Sequence, residues 1–291
     1  MGLRLKPTQR QRRLGHELRK LREAAGMGAA EACERAGLNK PHLSHIEAGR
    51  TACPEPRLRA LLSAYGCSDT TLTKALIELT NATGKGWWRA YRDTVDDRGQ
   101  DLAELESTTT AYRAFDWLHV PGLLQTPAYM RALFTKENPG DDGDLDAYAG
   151  FRLRRQRVLT ERPAPTFEAV IHEAAFHMGF VDRETMLGQL DHLVELARLP
   201  QVSIRLLPFR CAAYPATPGS PFTIHDASAP ELSTVYVEQP NTPLFLCDPW
   251  HVEHFAADFA RISGISLEPL DPGAAGEQSS LGLIQHLRYV L

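Results

Sequence analysis

Lys40, Pro41, Ser44 and His45, followed by Arg50, are the side chains whose types and spacing most suggest chemistry. On a helix all four face outward while Leu43 and Ile46 face the core. Such a polar face suits recognition by hydrogen bonds and charge rather than bond-making. Other candidates for chemistry are weaker. His172-Glu173 with His177 invites comparison with a zinc-protease H-E-x-x-H, but its histidines are at i, i+5. That spacing separates the imidazoles by about 140° around a helix. His251 and His254, at i, i+3, lack the Cys or carboxylate set that would complete a metal site. The sequence contains no G-x-S-x-G, no P-loop and no G-x-G-x-x-G after a strand. Neither a catalytic residue, a metal nor a cofactor is therefore expected, and the chain is not expected to be an enzyme.

The elements that position the polar face can be read locally. Thr8 and Gln11 form a capping box that starts a helix at about residue 9, with Leu14, Leu18 and Leu21 on one stripe ending before Gly26. A short helix over 29–36 buries Ala32, Cys33 and Ala36, and Gly37 permits a tight turn. Asn39 caps a third helix with Pro41 in its first turn, where a missing N–H has no intrahelical partner to lose. Gly49 closes it at C′. Two short helices joined by a glycine turn, the second polar outward, make a shape that enters a DNA major groove. A fourth helix runs from Pro56 to Tyr65, and Asp69 caps a fifth that carries Leu72, Leu76 and Leu79.

Charge agrees with that shape. Residues 1–65 hold 13 Lys or Arg against six Glu and no Asp, whereas the whole 291-residue chain has a net charge of −4. A cationic head on an anionic body suits a polyanionic partner. Five scattered cysteines without a C-x-x-C pair fit a reducing compartment better than a disulfide framework. The basic N-terminus has no apolar core of a signal peptide behind it, and no apolar run reaches the roughly 18 residues of a membrane span. A cytoplasmic, nucleoid-associated protein without membrane contact is expected.

After the Gly84-Lys85-Gly86 break the pattern changes. Trp87-Trp88 and an acidic stretch from Asp93 to Glu106 lead to a short extended segment at 117–120, turned by Pro121-Gly122. Thr126-Pro127 starts a helix, 137–144 reads as a loop, and a basic helix follows around Arg152 to Leu159. Strands are expected at 167–172, 202–206, 222–224, 235–237 and 244–246, with helices at 184–199, 250–262 and 281–290. The fold class is α+β overall. An all-α N-terminal domain of about five helices (1–83) joins, through a linker (84–104), a C-terminal α+β domain with a small sheet (105–291).

Residues 14–66 resemble the helix-turn-helix of lambda-repressor-like regulators of the Cro and xenobiotic-response-element type. Leu18-Arg19-Lys20-Leu21-Arg22, Glu31-Ala32 and above all Leu43-Ser44-His45-Ile46-Glu47-Ala48-Gly49-Arg50 carry the resemblance. It implies base contacts from Lys40, Pro41, Ser44 and His45, and DNA-backbone contacts from Arg10, Arg12, Arg13, Ala29, Asn39 and Arg50. It also implies a structural pair, Arg22 with Glu47. Gly28-Ala29 stands where the family usually has Thr-Gln, so a side-chain phosphate clamp is missing there. The second half resembles the C-terminal domain of uncharacterised function in a large group of actinobacterial regulators. Val120-Pro121-Gly122-Leu123-Leu124-Gln125-Thr126 with Tyr129, Arg155-Gln156, Leu206-Leu207-Pro208-Phe209 and Val235-Tyr236-Val237-Glu238 carry that likeness. Between Phe209 and Pro221 this chain has Cys211, Tyr214 and prolines where the family tends to glycines and a histidine.

Together these features lead to the expectation of a sequence-specific transcriptional regulator that binds double-stranded DNA as a homodimer. Its C-terminal domain would respond to a ligand or to a small protein encoded by an adjacent gene. Trp88, Trp117, Tyr129, Phe222 and Tyr236 are candidates for that ligand or partner surface, or else for core. The rival expectation is an antitoxin-like interaction protein that neutralises a small partner and binds DNA only for autoregulation.

Overall fold

The computed structural model describes residues 6–82, 84–137, 145–211, 220–239, 242–273, 276 and 279–291. They form two compact units. The first comprises the described residues up to Arg92, with Asp96–Thr108 and Ala227–Ser233. Its helices are α1 (Gln9–Ala24), α2 (Ala29–Ala36), α3 (Lys40–Glu47), α4 (Glu55–Ala64), α5 (Thr70–Asn81) and α6 (Asp97–Glu106), with a 3-10 turn at Trp87–Tyr91. Side-chain caps start four of them: Thr8 accepts from Gln11 N, Asn39 from His42 N, Asp69 from Leu72 N and Asp96 from Gly99 N. The apolar stripes then meet in one core, where Leu18, Leu43, Ile46, Leu58, Leu61 and Leu76 are all but wholly buried.

The segment expected to be a linker is structured. Trp88 is buried in its turn, and α6 buries Leu102 and Ala103 within the N-terminal unit. The sequence shows only an acidic stretch here; in the structure Asp96 is a cap, and Asp101 and Glu104 face arginines of α1. The segment Ala227–Ser233 likewise adds Ala229 and Leu232 to the N-terminal core.

The second unit holds Asp93–Val95, Thr109–Asp226 and Thr234–Leu291. Six strands, β1 (Ala111–Asp116), β2 (Thr166–His172), β3 (Val202–Leu207), β4 (Phe222–Asp226), β5 (Thr234–Val237) and β6 (Leu244–Leu246), form one sheet in the order β3-β2-β1-β4-β5-β6. β1, β2 and β3 are parallel, while β4, β5 and β6 continue antiparallel from β1. Five helices accompany it: α7 (Pro127–Glu137), α8 (Leu145–Gln156), α9 (Arg183–Leu196), α10 (Pro249–Ile265) and α11 (Ser280–Val290). One sheet face, with Tyr112, Phe167, Ile171 and Ile204, shares a core with Leu190 of α9 and Ile284 of α11. The other, with Phe115, Val170 and Ile224, packs on Phe259 and Ile262 of α10. The α+β class holds, with a larger, mixed sheet.

The extended segment expected at 117–120 is a bend, and the strand lies just before it, at β1. Asp116 ends that strand by accepting from Leu118 N and His119 N at 3.2 and 3.1 Å. Most of the loop expected at 137–144, and residues 212–219 of the Phe209–Pro221 connection, lie outside the described residues. No described helix is long and apolar enough to cross a membrane.

Candidate nucleic-acid interface

Helix α3 is anchored at its C-terminal end. Arg22 of α1 donates from Nε to Glu47 Oε1 at 2.7 Å and from Nη2 to Oε2 at 3.1 Å, and its Nη1 reaches Met27 O at 3.0 Å. The bond to Glu47 raises the Arg22 pKa above its ordinary value, against the opposing effect of burial. Backbones meet beside this pair. A Cβ at Gly15 would lie 2.6 Å from Ile46 O, and one at Gly49 2.9 Å from the Gln11 carbonyl. Gly49 also has φ +69, a conformation that side chains with a Cβ resist. Glycine at both positions lets α1 lie directly against the end of α3.

That anchoring presents the opposite edge of α3 to solvent. Lys40, Pro41, Ser44, Asn39 and Arg50 are exposed and His45 is half-buried. Lys40, Ser44, His45 and Arg50 make no side-chain hydrogen bond or ion pair among the described residues, while Asn39 caps the helix. At α2, Gly28 and Ala29 are exposed, and among the described residues no side-chain cap starts the helix. Donors aimed at solvent there suit an anionic oxygen.

Most other cations of this unit are neutralised internally. Arg19, Lys20, Arg35 and Arg59 pair with carboxylates one turn away on their own helices. Arg10 donates to Glu104 at 2.8 Å and to Leu79 O at 2.6 Å. Arg13 is buried against Glu17 and the carbonyl of Glu231. Arg12, half exposed, contacts Asp101 at 3.3 Å and Pro7 O at 2.6 Å. Burial pushes the Asp101 carboxyl up to about 6, with Gln9 N and Arg12 pulling the other way. Intramolecular acceptors thus hold Arg10 and Arg13, two of the residues expected at a DNA backbone. Among the described residues up to Tyr65, the basic side chains without a carboxylate partner are Lys6, Lys40, Arg50 and Arg57. Lys40 belongs to α3 and Arg50 follows it directly.

Arg57 is a residue that sequence reasoning missed. From α4 it lies with Nη1 2.9 Å from Nε2 of His42, on α3. Burial first, then Arg57 and His45, lower the His42 pKa, so the neutral ring accepts at Nε2. Only a three-dimensional contact reveals the pair, since 15 residues separate the two.

Of the five aromatics expected at a ligand or partner surface or else in the core, three lie in the core. Trp88, Tyr129 and Phe222 are buried, leaving Trp117 exposed and Tyr236 half-buried against Phe245. Tyr129 instead serves the Val120–Thr126 segment, where its hydroxyl accepts from Val120 N at 3.2 Å. Gln125, Gln156 and Gln189 bond the carbonyls of Val120, Gly122, Leu124 and Gln125. That stretch is a buried polar brace. Among the described residues, no group of His, Cys, Asp or Glu is arranged to hold a metal.

A short, anchored helix with a bare polar edge, following a second short helix across a glycine turn, defines a helix-turn-helix DNA-binding domain. Residues 13–76 match the family model of a helix-turn-helix domain. Residues 100–272 match that of a domain of unknown function, DUF5753. This second match covers more than half of the chain, and the chain belongs to that family. No curated protein and no solved structure matches the chain.

Proposed function

We propose that the chain is a sequence-specific, non-enzymatic transcriptional regulator whose α3 enters the major groove, in the manner of lambda-repressor-like proteins. The observation that carries this reading is the distribution of unmatched charge. Most cations of the head have internal carboxylate partners, whereas Lys40 and Arg50, on and beside the anchored helix, have none among the described residues. Lys40, Pro41, Ser44 and His45 then read base edges, and Arg50 with the leading amides of α2 meets phosphates. A homodimer would place two such helices on half-sites about one helical turn apart. The DUF5753 unit is the part that would answer a ligand or partner protein, by favouring one of two DNA-binding states.

The first test is binding of the full chain to a labelled fragment of its own promoter, titrated with salt and competitor DNA. Retention against competitor, with affinity falling steeply as salt rises, is the expected result. Equal affinity for promoter and competitor would remove the claim of sequence specificity. Binding to neither would remove the regulator reading itself.

A further inference from the structure

The two ends of the recognition helix are held differently. Arg22, Gly15 and Gly49 fix its C-terminal end to α1. Its first turn, which carries Lys40 and Pro41, has the Asn39 cap from its own chain. From outside α3, the hydrogen bond that reaches this turn comes from Arg57, at 2.9 Å from His42 Nε2. We propose that Arg57 is a positioning residue for sequence readout, acting through His42 to set the N-terminal turn of α3 rather than by touching DNA.

Three observations support this, and the inference rests on the regulator reading above. His42 sits on the flank of α3 next to Lys40 and Pro41, which are the outward residues of that turn. Its ring is half-buried, and the charged groups acting on it are Arg57 from α4 and His45 from α3 itself. A guanidinium donating to a neutral imidazole is a charge-assisted bond, and its planar donors fix direction as well as distance. Rotation of this short helix by a fraction of a turn would carry Lys40 and Ser44 off the base edges while leaving phosphate contacts largely intact. Loss of the bond therefore lowers discrimination more than it lowers general affinity.

The experiment uses the full chain, the duplex it enriches from a random-sequence pool, and a scrambled duplex of equal length. Fluorescence anisotropy across a salt series gives both affinities and both salt slopes. Arg57→Ala is expected to weaken the enriched duplex about tenfold, with scrambled binding within about twofold and the slope unchanged. His42→Ala should match it, and the double variant should lose no more than either. His42→Gln, whose Oε1 can accept from Arg57, should restore discrimination. A slope smaller by about 1 for Arg57→Ala, with equal losses on both duplexes, would make Arg57 a phosphate contact and overturn the proposal. If thermal melting shows that Arg57→Ala does not fold, Arg57→Lys replaces it. Lost discrimination in Arg57→Lys supports positioning by the guanidinium, and retained discrimination overturns it. A wild-type chain that enriches no duplex overturns the regulator reading as well. A wild type that enriches one and tolerates both substitutions overturns this proposal alone.

Discussion

At the scale of single residues, two buried groups carry opposite consequences of burial. Arg22 and Glu47 leave water together and satisfy each other through two bonds. Removing one partner strands the other, so Arg22→Ala should cost about 3 kcal/mol of N-terminal stability. Hydrogen exchange of α1 and α3 amides would measure it, and a cost below about 1 kcal/mol would place the pair with ordinary surface bridges. Asp116 is buried and forms no ion pair among the described residues. Burial and then the charge of Glu238 push its carboxyl up to about 7, while hydrogen bonds from His119, Leu118 and Trp117 amides pull it down. Between the unfolded value near 4 and about 7, the folded state holds a proton that the unfolded chain has released. The contribution of Asp116 to the stability of the C-terminal unit therefore falls as pH rises through that window. His225, fully buried and pushed down to about 3, works on the other side. There the unfolded chain binds the extra proton, so the contribution of His225 falls as pH drops below about 6.5 and offsets that of Asp116 between about 4 and 6.5. In Asp116→Asn the amide keeps an acceptor for Leu118 and His119 and carries no charge. This variant should gain on the order of 3 kcal/mol at pH 8, gain little at pH 4.5, and keep the acid limb. Denaturant melts across pH would reveal both limbs, and an unchanged alkaline limb would sink the assignment to Asp116.

At the scale of elements, the helices of the head were legible because their signals are local. Thr8, Asn39 and Asp69 each cap a helix within three residues of themselves, and each does so in the structure. The polar face of α3 was legible for the same reason. β1 was not, because Ala111–Asp116 is buried on both sides near its end and shows no clean alternation. Nor could strand order be read, since pairing joins residues far apart in sequence. Close approach is equally invisible: Gly15 looks like a weak helix residue until α3 is seen against it. That contrast is testable with two helical glycines. Gly15→Ala, whose Cβ would meet the Ile46 and Glu47 carbonyls, should cost about 2 kcal/mol and weaken DNA binding. Gly188→Ala lies in α9 with nothing within 4 Å, and should stabilise the C-terminal unit by about 0.5–1 kcal/mol. Thermal melts of the two variants decide it: equal shifts of the same sign would mean that helix propensity, not contact, governs Gly15.

At the scale of the whole chain, the sequence boundary and the structural boundary disagree. The DUF5753 match begins at residue 100, inside α6, and runs to residue 272, yet both α6 and Ala227–Ser233 belong to the N-terminal unit. The family match thus takes in two pieces of chain that belong to the N-terminal unit, of which the second contributes to its core. The second could not be read from its residues, because Ala-Ser-Ala-Pro-Glu-Leu-Ser resembles any turn between two strands and holds a single large apolar side chain. That side chain, Leu232, is buried with Leu14, Leu18 and their neighbours, and the Glu231 carbonyl beside it accepts from Arg13. The segment lies in the chain between β4, which ends at Asp226, and β5, which starts at Thr234. Leu232→Ala should remove about 2–3 kcal/mol from the N-terminal unit through the cavity it leaves. Hydrogen exchange would show faster opening of α1 and α4 amides, with β2 and β3 protected as before. Faster exchange in β2 and β3 alone would mean that Leu232 supports the sheet and not the core of the head.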